Sequence, residues 1–120
     1  MSYWENAADR ILRLDERIRS LGIVDSKYRM IISKTREGIS SLTPLDVDRN
    51  FMSIVPPIIV EGLRRLEEHC GLLQIMTVRY RKVLLAIYSD GLYVVVLSFE
   101  PSIETPFMNK LAEELRRIIH

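Results

Sequence analysis

The sequence predicts an α+β fold in which helices cover a five-stranded antiparallel sheet, in the order α-β-β-α-β-β-β-α. Apolar residues recur at helical intervals near both ends and in the middle of the chain, but with a period of two in much of its C-terminal half. Two threonine–proline pairs, Thr43-Pro44 and Thr105-Pro106, favour helix starts. The length of 120 residues fits a single domain over residues 1–120.

The first helix is predicted over residues 3–17. Ser2 and Glu5 have the spacing of a capping box, in which the serine hydroxyl accepts a backbone N–H of the first turn. The residues that recur along one side of this segment are apolar: Trp4, Ala8, Ile11, Leu14 and Ile18. Charged residues fill the other side, so we expect the helix to lay one apolar stripe on the sheet.

A β-hairpin is predicted next. Residues 18–25 and 28–35 are two short segments rich in β-branched side chains. Ser26-Lys27 stands between them as the turn. A loop over residues 37–43 then leads to the second helix.

The second helix is predicted to begin at Thr43-Pro44 and to end at Cys70, before Gly71. Pro56-Pro57 lies in its middle. A proline inside a helix removes a backbone hydrogen bond and clashes with the preceding turn, at a cost of about 3 kcal/mol. We therefore predict a kink or a short break near residues 53–56, with two separate helices as the alternative.

Three strands of a meander are predicted over residues 72–81, 83–90 and 92–99. Asp90-Gly91 is a typical two-residue hairpin loop, because such turns need positive φ angles. The last strand is apolar on both faces, so we expect it at the centre of the sheet and covered on both sides.

Positive charge gathers at the end of the first of these three strands, in Arg79, Arg81 and Lys82. Charge on a strand commonly protects a sheet edge, so this strand is predicted to be an edge. Nucleic-acid binding needs a broader basic field. Since 17 Lys+Arg against 16 Asp+Glu leave a formal charge of +1, we expect no nucleic-acid partner.

The final helix is predicted to begin at Thr105-Pro106. Its apolar stripe consists of Phe107, Leu111, Leu115, Ile118 and Ile119. Basic side chains near its end, among them Arg116 and Arg117, suit the negative end of the helix dipole.

The second helix carries more apolar surface than one sheet face requires. The residues concerned cover an arc of about 180° at about 100° per residue: Phe51, Met52, Ile54, Val55, Ile58, Ile59, Leu63 and Leu66. A helix resting on a sheet needs a narrower stripe. The surplus, namely Met52, Val55 and Ile59, would be exposed in a monomer, unless the proline kink rotates the two halves so that one core takes both stripes.

Residues with catalytic or metal-binding chemistry do not form a recognisable site in the sequence. His69 and Cys70 are adjacent, whereas zinc needs four ligands in spaced pairs and a Cys–His nucleophile needs side chains that face each other. The carboxylate pairs lie on predicted helix surfaces, and no two glycines are close enough to form a phosphate-binding loop. We therefore expect no enzyme activity, no catalytic residue, no metal and no cofactor, with Cys70 packed as a small apolar residue at a partly buried helix end.

Targeting signals are also missing from the sequence. The N-terminus has neither the basic nor the apolar region of a signal peptide. The longest apolar runs, 83–88 and 92–97, are far shorter than the roughly 20 residues that cross a bilayer. We expect a cytoplasmic protein without membrane insertion.

Several short segments resemble an uncharacterised archaeal family with a roadblock/dynein-light-chain-like, profilin-like fold. They are core and turn residues spread over nearly the whole chain: Ile11-Leu12-Arg13-Leu14-Asp15, Ile18-Arg19, Gly22-Ile23-Val24-Asp25, Arg36-Glu37-Gly38, Arg79-Tyr80 and Leu97-Ser98. Two features depart from that pattern. Ser26-Lys27-Tyr28 stands where many such proteins have a glycine turn, and Pro56-Pro57 interrupts a helix that is usually smooth.

The resemblance implies a non-enzymatic protein–protein interaction module. Roadblock proteins form homodimers or pair with another roadblock-like chain by joining the second helix and the third strand across a two-fold axis. Such assemblies serve as scaffolds or regulators and often bind small Ras-like GTPases. The interface residues expected on this basis are Met52, Val55, Ile59, Met76, Val78 and Tyr80. The alternative is a small-molecule sensor of the profilin-, PAS- or GAF-like type, which needs a roomy apolar pocket under the second helix.

Overall fold

A computed structural model of the chain describes residues 2–27, 29–40, 42, 45–103 and 105–119, without the side chains of residues 45–50, 52–54 and 105–106. The helices are α1 (Tyr3–Leu12), α2 (Leu45–Leu63), α3 (Glu67–Cys70) and α4 (Thr105–Ile118), with a 3₁₀ turn at Arg64–Leu66 between α2 and α3. The strands are β1 (Ile18–Asp25), β2 (Met30–Thr35), β3 (Ile75–Arg79), β4 (Leu84–Ser89) and β5 (Tyr93–Phe99). Thr43-Pro44, the predicted start of the second helix, lies outside the described residues. At Thr105-Pro106, the predicted start of the last helix, only the side chains lie outside them.

The five strands form one antiparallel sheet in the order β2-β1-β5-β4-β3. This confirms the predicted α+β class and the order of elements, with α3 as a short continuation of α2. The apolar strand β5 lies at the centre, as its two apolar faces predict. The predicted edge strand β3 is at one edge, and β2 is at the other.

Helix α1 ends at Leu12, five residues before the predicted end. Asp15 turns the chain, because its carboxylate accepts the Arg17 backbone N–H at 2.8 Å and the Arg17 guanidinium at 2.9 Å. These bonds, led by the one from the Arg17 side chain, hold the pKa of Asp15 below its ordinary value. The Arg36 guanidinium donates to the backbone oxygens of Leu12, Asp15 and Ile18. A residue that follows the β1–β2 hairpin therefore hydrogen-bonds carbonyl groups at the helix end and in the turn after it. The Ser2 cap is confirmed by its hydrogen bond from the Glu5 N–H at 3.1 Å.

The turn between β1 and β2 is built by an aspartate rather than by a glycine. The Asp25 carboxylate accepts the backbone N–H groups of Lys27 at 2.8 Å and Arg29 at 3.0 Å, and also the Arg29 Nε at 2.9 Å. These contacts, led by the Arg29 backbone bond, lower the pKa of Asp25. Tyr28, which the sequence assigns to the second strand, lies outside the described residues.

Helix α2 runs without interruption through Pro56 and Pro57, so the predicted short break and the alternative of two separate helices are wrong at this point, while the predicted kink stays a prediction. Both prolines are buried. The proline ring fixes φ at a helical value, and burial of two rings helps to offset the missing hydrogen bonds. The helical geometry changes only after Leu63, and the whole segment ends at Cys70. Gly71 follows with φ 86°, which confirms the predicted C-terminal glycine.

The hairpin between β4 and β5 has its loop one residue later than predicted. The Asp90 N–H donates to the Tyr93 carbonyl at 3.3 Å, so the two loop residues are Gly91 and Leu92. Gly91 has φ 96°, and the Asp90 side chain accepts the Leu92 N–H at 2.9 Å. The aspartate therefore supports the turn from outside the loop, and the glycine supplies a positive φ angle at the first loop position.

The two faces of the sheet are covered unequally. On the α1/α4 face, both helices pack on a large continuous core that includes Ile11, Leu21, Leu97, Phe99 and Leu115. On the α2 face, α2 contacts β1, β2 and β5. The buried apolar cluster described there is small and consists of Val60, Ile87, Val94 and Val96, with Leu73 and Met76 packed against it.

Candidate interaction surface

Large apolar side chains are exposed along the outer side of α2, and further ones lie on the α2 face of β3 and directly after it. We name them together the α2–β3 surface and define it as Val55, Ile58, Ile59, Leu63, Leu66, Met76, Val78 and Tyr80. The α2 side chains and Leu66 are between 37% and 57% exposed, and Tyr80 is 54% exposed. Met76 and Val78 are half-buried. A contiguous patch of exposed apolar side chains is unusual on a monomer and typical of a surface that contacts another protein.

The periodicity of α2 separates two sides of the helix. Pro56, Pro57 and Val60 are buried and fall within one arc of about 100°, whereas the exposed residues fall within an adjoining arc of about 140° at about 100° per residue. Both arcs are apolar. The helix therefore fills its share of the core with the first arc, and the described residues cover the second arc only in part.

Gly62 lies in the middle of the exposed arc. A methyl group at its Cβ position would meet no described atom within 4 Å, so the fold of a single copy does not require glycine there. Glycine inside a helix costs about 1 kcal/mol relative to alanine. Its absence of a side chain would let the backbone of another chain approach closely.

Strand β3 adds an open sheet edge to this surface. The Tyr80 N–H donates to the Val83 carbonyl at 2.8 Å, which makes this pair the hydrogen-bonded end of the β3–β4 hairpin. Because hydrogen-bonded and non-bonded pairs alternate in an antiparallel ladder, the backbone groups of Ile75, Thr77 and Arg79 point away from β4. The side chains of Met76 and Val78 point to the α2 face, where Met76 packs against the cluster that contains Val60.

The structure describes the side chains of five of the six predicted interface residues. Val55 and Ile59 are exposed on α2, whereas Met76 and Val78 lie on β3 and Tyr80 directly follows that strand. Met52 belongs to α2, but its side chain is outside the described residues. The sequence analysis did not include Ile58, Leu63 and Leu66 among the expected interface residues. It placed them in the apolar arc of the second helix, but could not tell which residues of that arc are buried and which are exposed.

The C-terminal end of α2 is tied to the sheet by a chain of polar contacts. The Glu67 carboxylate accepts the Arg64 Nε at 3.0 Å and the Leu73 backbone N–H at 2.7 Å. These bonds, led by the one from Leu73, lower the pKa of Glu67. The Arg64 guanidinium also lies over Gly91, where a Cβ would come within 3.1 Å of it. The contacts fix the end of the α2–β3 surface relative to β3 and the β4–β5 hairpin.

Metal-binding clusters and membrane-spanning helices are both missing from the part of the chain that the structure describes. No group of three or more His, Cys, Asp or Glu side chains there is placed to hold a metal ion. None of the helices over those residues is both long and apolar enough to cross a bilayer. Cys70 is exposed rather than packed, which corrects the sequence-based expectation. Helix α3 has no buried residue, so the helix end that was expected to be partly buried is open.

A groove of about 330 Å³ is present, but not under the second helix. It lies on the α1/α4 face, between β3, β4 and α4. The pocket that the small-molecule alternative requires under α2 is therefore not this one.

Solved structures share this fold at low sequence identity. The gliding protein MglB from Thermus thermophilus is 18% identical, with a TM-score of 0.67 over 97% of this chain and 87% of that chain. A roadblock/LC7 domain from Streptomyces avermitilis is 8% identical, with a TM-score of 0.68 over 98% and 90%. An MglB with a tetrameric arrangement is 20% identical, also with a TM-score of 0.68 over 98% and 90%. No protein-family model and no curated protein matches the sequence. The chain thus has the roadblock/LC7 fold.

Proposed function

We propose that this protein is a non-enzymatic interaction module whose α2–β3 surface binds a second copy of the chain. The observation that carries the proposal is the exposed apolar arc of α2 beside an open, apolar strand edge. Covering that arc removes apolar area from water, which favours association by about 25 cal/mol per Å² before the costs of binding.

A second copy fits this surface better than an unlike chain does. A two-fold interface uses the same patch on both partners, so the patch must complement itself. The described apolar residues of the surface carry no charge, and two such patches meet without repulsion. The open edge of β3 can pair antiparallel with its own copy, which would join two sheets into one. An MglB of the same fold is known in a tetrameric arrangement, which supports assembly as a use of this fold.

The first test is the mass of the protein in solution. Size-exclusion chromatography with light scattering, from about 1 to about 100 µM, brackets a dissociation constant of about 10 µM. The expected result is a particle of twice the 14.0 kDa chain mass. Ile59→Asp should give a monomer, because two buried carboxylates would face each other across the contact.

The matched control is Leu92→Asp. Leu92 is 66% exposed, but it lies in the β4–β5 loop and outside the α2–β3 surface. This variant should remain dimeric. A wild-type chain that stays monomeric throughout, or equal disruption by both variants, would refute the proposal. Circular dichroism of both variants establishes that each is folded.

The dimer is proposed to act as a scaffold or regulator, and the resemblance to roadblock proteins adds a small Ras-like GTPase as its partner. A GTPase encoded beside the gene for this chain is the first candidate to test. Calorimetry should detect binding to the wild-type dimer that depends on whether GDP or a GTP analogue is loaded. Equal affinities for the GDP-loaded GTPase and the GTPase loaded with the GTP analogue would contradict a regulatory role.

A further inference from the structure

The groove on the α1/α4 face exists because the cover of the sheet stops short of its edge. Helix α4 packs on β4, whereas β3 lies one strand further out. Side chains of β3 on this face therefore project beside the helix instead of beneath it. The groove is lined by Ile75, Thr77, Arg79, Leu84, Met108 and Asn109.

The lining combines an apolar floor with polar groups around it. Leu84 and Met108 are buried and Ile75 is half-buried, while Thr77 and Asn109 are exposed. Among the residues that the structure describes, no carboxylate lines the groove. The described polar groups that face a ligand are a hydroxyl, an amide and a guanidinium, of which only the last carries charge.

Arg79 is held in place without being neutralised. Its Nη1 donates to the Pro101 carbonyl at 2.7 Å and its Nη2 to the Ile103 carbonyl at 3.4 Å. Both acceptors are uncharged, and among the described residues Arg79 takes part in none of the ion pairs. Arg81 and Lys82 follow in the exposed turn and are likewise outside these pairs. The end of the groove is therefore a fixed positive site.

We propose that this groove binds a segment of another protein that presents a large apolar side chain next to a carboxylate. The apolar side chain would lie on Ile75 and Met108, and the carboxylate would accept hydrogen bonds from the free N–H groups of Arg79, a pairing that planar guanidinium geometry favours. A volume of about 330 Å³ accommodates a few side chains, and is at the lower limit of about 300 Å³ for small-molecule sites. The side chains that line the groove project from the opposite face of β3 to that of Met76 and Val78, so the groove and the α2–β3 surface use different side chains of this strand.

The test uses the full chain as bait for a displayed library of random peptides. Selection should enrich peptides in which aspartate or glutamate neighbours a large apolar residue. Fluorescence anisotropy with the best peptide should show a loss of about tenfold in affinity for Arg79→Gln, as expected for one charge-assisted hydrogen bond. When the acidic residue of the peptide is replaced by its amide, the wild type should lose affinity by a similar factor. The affinity of Arg79→Gln should stay almost unchanged.

Three other variants keep the result interpretable. Arg81→Gln removes a neighbouring charge that does not line the groove and should change the affinity by less than about twofold, which separates a specific contact from general attraction. Asn109→Asp adds a negative charge at an exposed helix position, where folding is undisturbed, and should weaken binding at least as much as Arg79→Gln. Ile59→Asp, which breaks the proposed dimer, should bind the peptide as well as the wild type does.

The groove proposal would be overturned if the selection enriched no acidic peptides, or if Arg79→Gln and Arg81→Gln lost peptide affinity equally. Either result would leave the dimer proposal standing. Loss of peptide binding in Ile59→Asp would place the site on the dimer contact instead of in the groove.

Discussion

The two faces of the sheet show what the same apolar chemistry does when it is covered and when it is not. On the α1/α4 face, two helices with narrow apolar stripes close a core in which Ile11, Leu97 and Leu115 are fully buried. On the α2 face, a single helix with a broad apolar arc buries Val60 and leaves Ile58 more than half exposed. One face is complete in a single copy of the chain, and the other leaves described apolar side chains of α2 exposed.

The two edges of the sheet each carry a charge near one end. On the β2 edge, Lys34 forms an ion pair with Asp9 of α1. The β3 edge is uncharged along Ile75–Val78 and becomes charged at Arg79. Because charges on an edge strand discourage another strand from pairing, the uncharged part of β3 is the part that can accept a partner strand. This part adjoins the incompletely covered face.

The largest expected contrast between the faces is in stability. In the monomeric Ile59→Asp background, Leu115→Ala should lower the free energy of unfolding by about 2–5 kcal/mol, because it opens a cavity in a closed core. Leu66→Ala, at a residue 57% exposed, should change it by less than about 0.5 kcal/mol. Urea titrations measure both. Similar losses would mean that the α2 face is as closed as the other.

Amide exchange should show the next largest contrast. Pro56 and Pro57 donate no hydrogen bonds to the preceding turn of α2, whereas α4 has no proline after its first turn. In the Ile59→Asp monomer, amides of α2 should exchange at least about tenfold faster than those of α4. In the wild-type dimer, protection should rise in α2 and stay unchanged in α4. Equal gains in both helices would indicate general stabilisation instead of a contact on α2.

Gly62→Ala should separate the needs of the single chain from those of the dimer. In the Ile59→Asp background, the substitution should raise the free energy of unfolding by up to about 1 kcal/mol, because alanine is the better helix former and the site is open. In the otherwise wild-type chain, it should weaken self-association, which sedimentation equilibrium measures. Tighter association would show that no close backbone approach occurs at this position.

The smallest expected effect concerns the anchor at the end of α2. Since the folded-state pKa of Glu67 is lowered, its contribution to stability is present above the ordinary glutamate pKa of about 4.3 and is lost as the pH falls through the folded value. Wild-type stability should therefore fall more steeply below about pH 4.3 than that of Glu67→Gln. Glu68→Gln, at an exposed neighbouring position, is the control and should follow the wild type. Parallel pH curves for all three proteins would exclude this role of Glu67.

Sequence patterns predict an element well when it has one narrow stripe. Phe107, Leu111 and Leu115 recur along a single side of α4, and that side faces the core. The broad arc of α2 does not reveal which half meets the sheet, because both halves are apolar. Only the structure shows that Pro56 and Pro57 take the buried side.

Long-range contacts limit prediction for the other elements. The periodicity of α1 continues beyond Leu12, but Asp15 and the distant Arg36 end the helix by binding its backbone and the turn after it. The groove is likewise absent from any sequence pattern. It arises where β3 extends past the cover of α4, and the charge of Arg79 gains significance only because Pro101 and Ile103 hold it there.

The distance between two copies of the chain tests the central claim most directly. A spin label at Arg65→Cys in a Cys70→Ser background lies beside the α2–β3 surface, and one at Arg117→Cys in the same background lies on α4. Electron–electron double resonance should give a short, narrow distance between copies for position 65 and a longer one for position 117, both abolished by excess unlabelled chain. A shorter distance at position 117, or no interaction at position 65, would contradict the assignment of self-association to the α2 face.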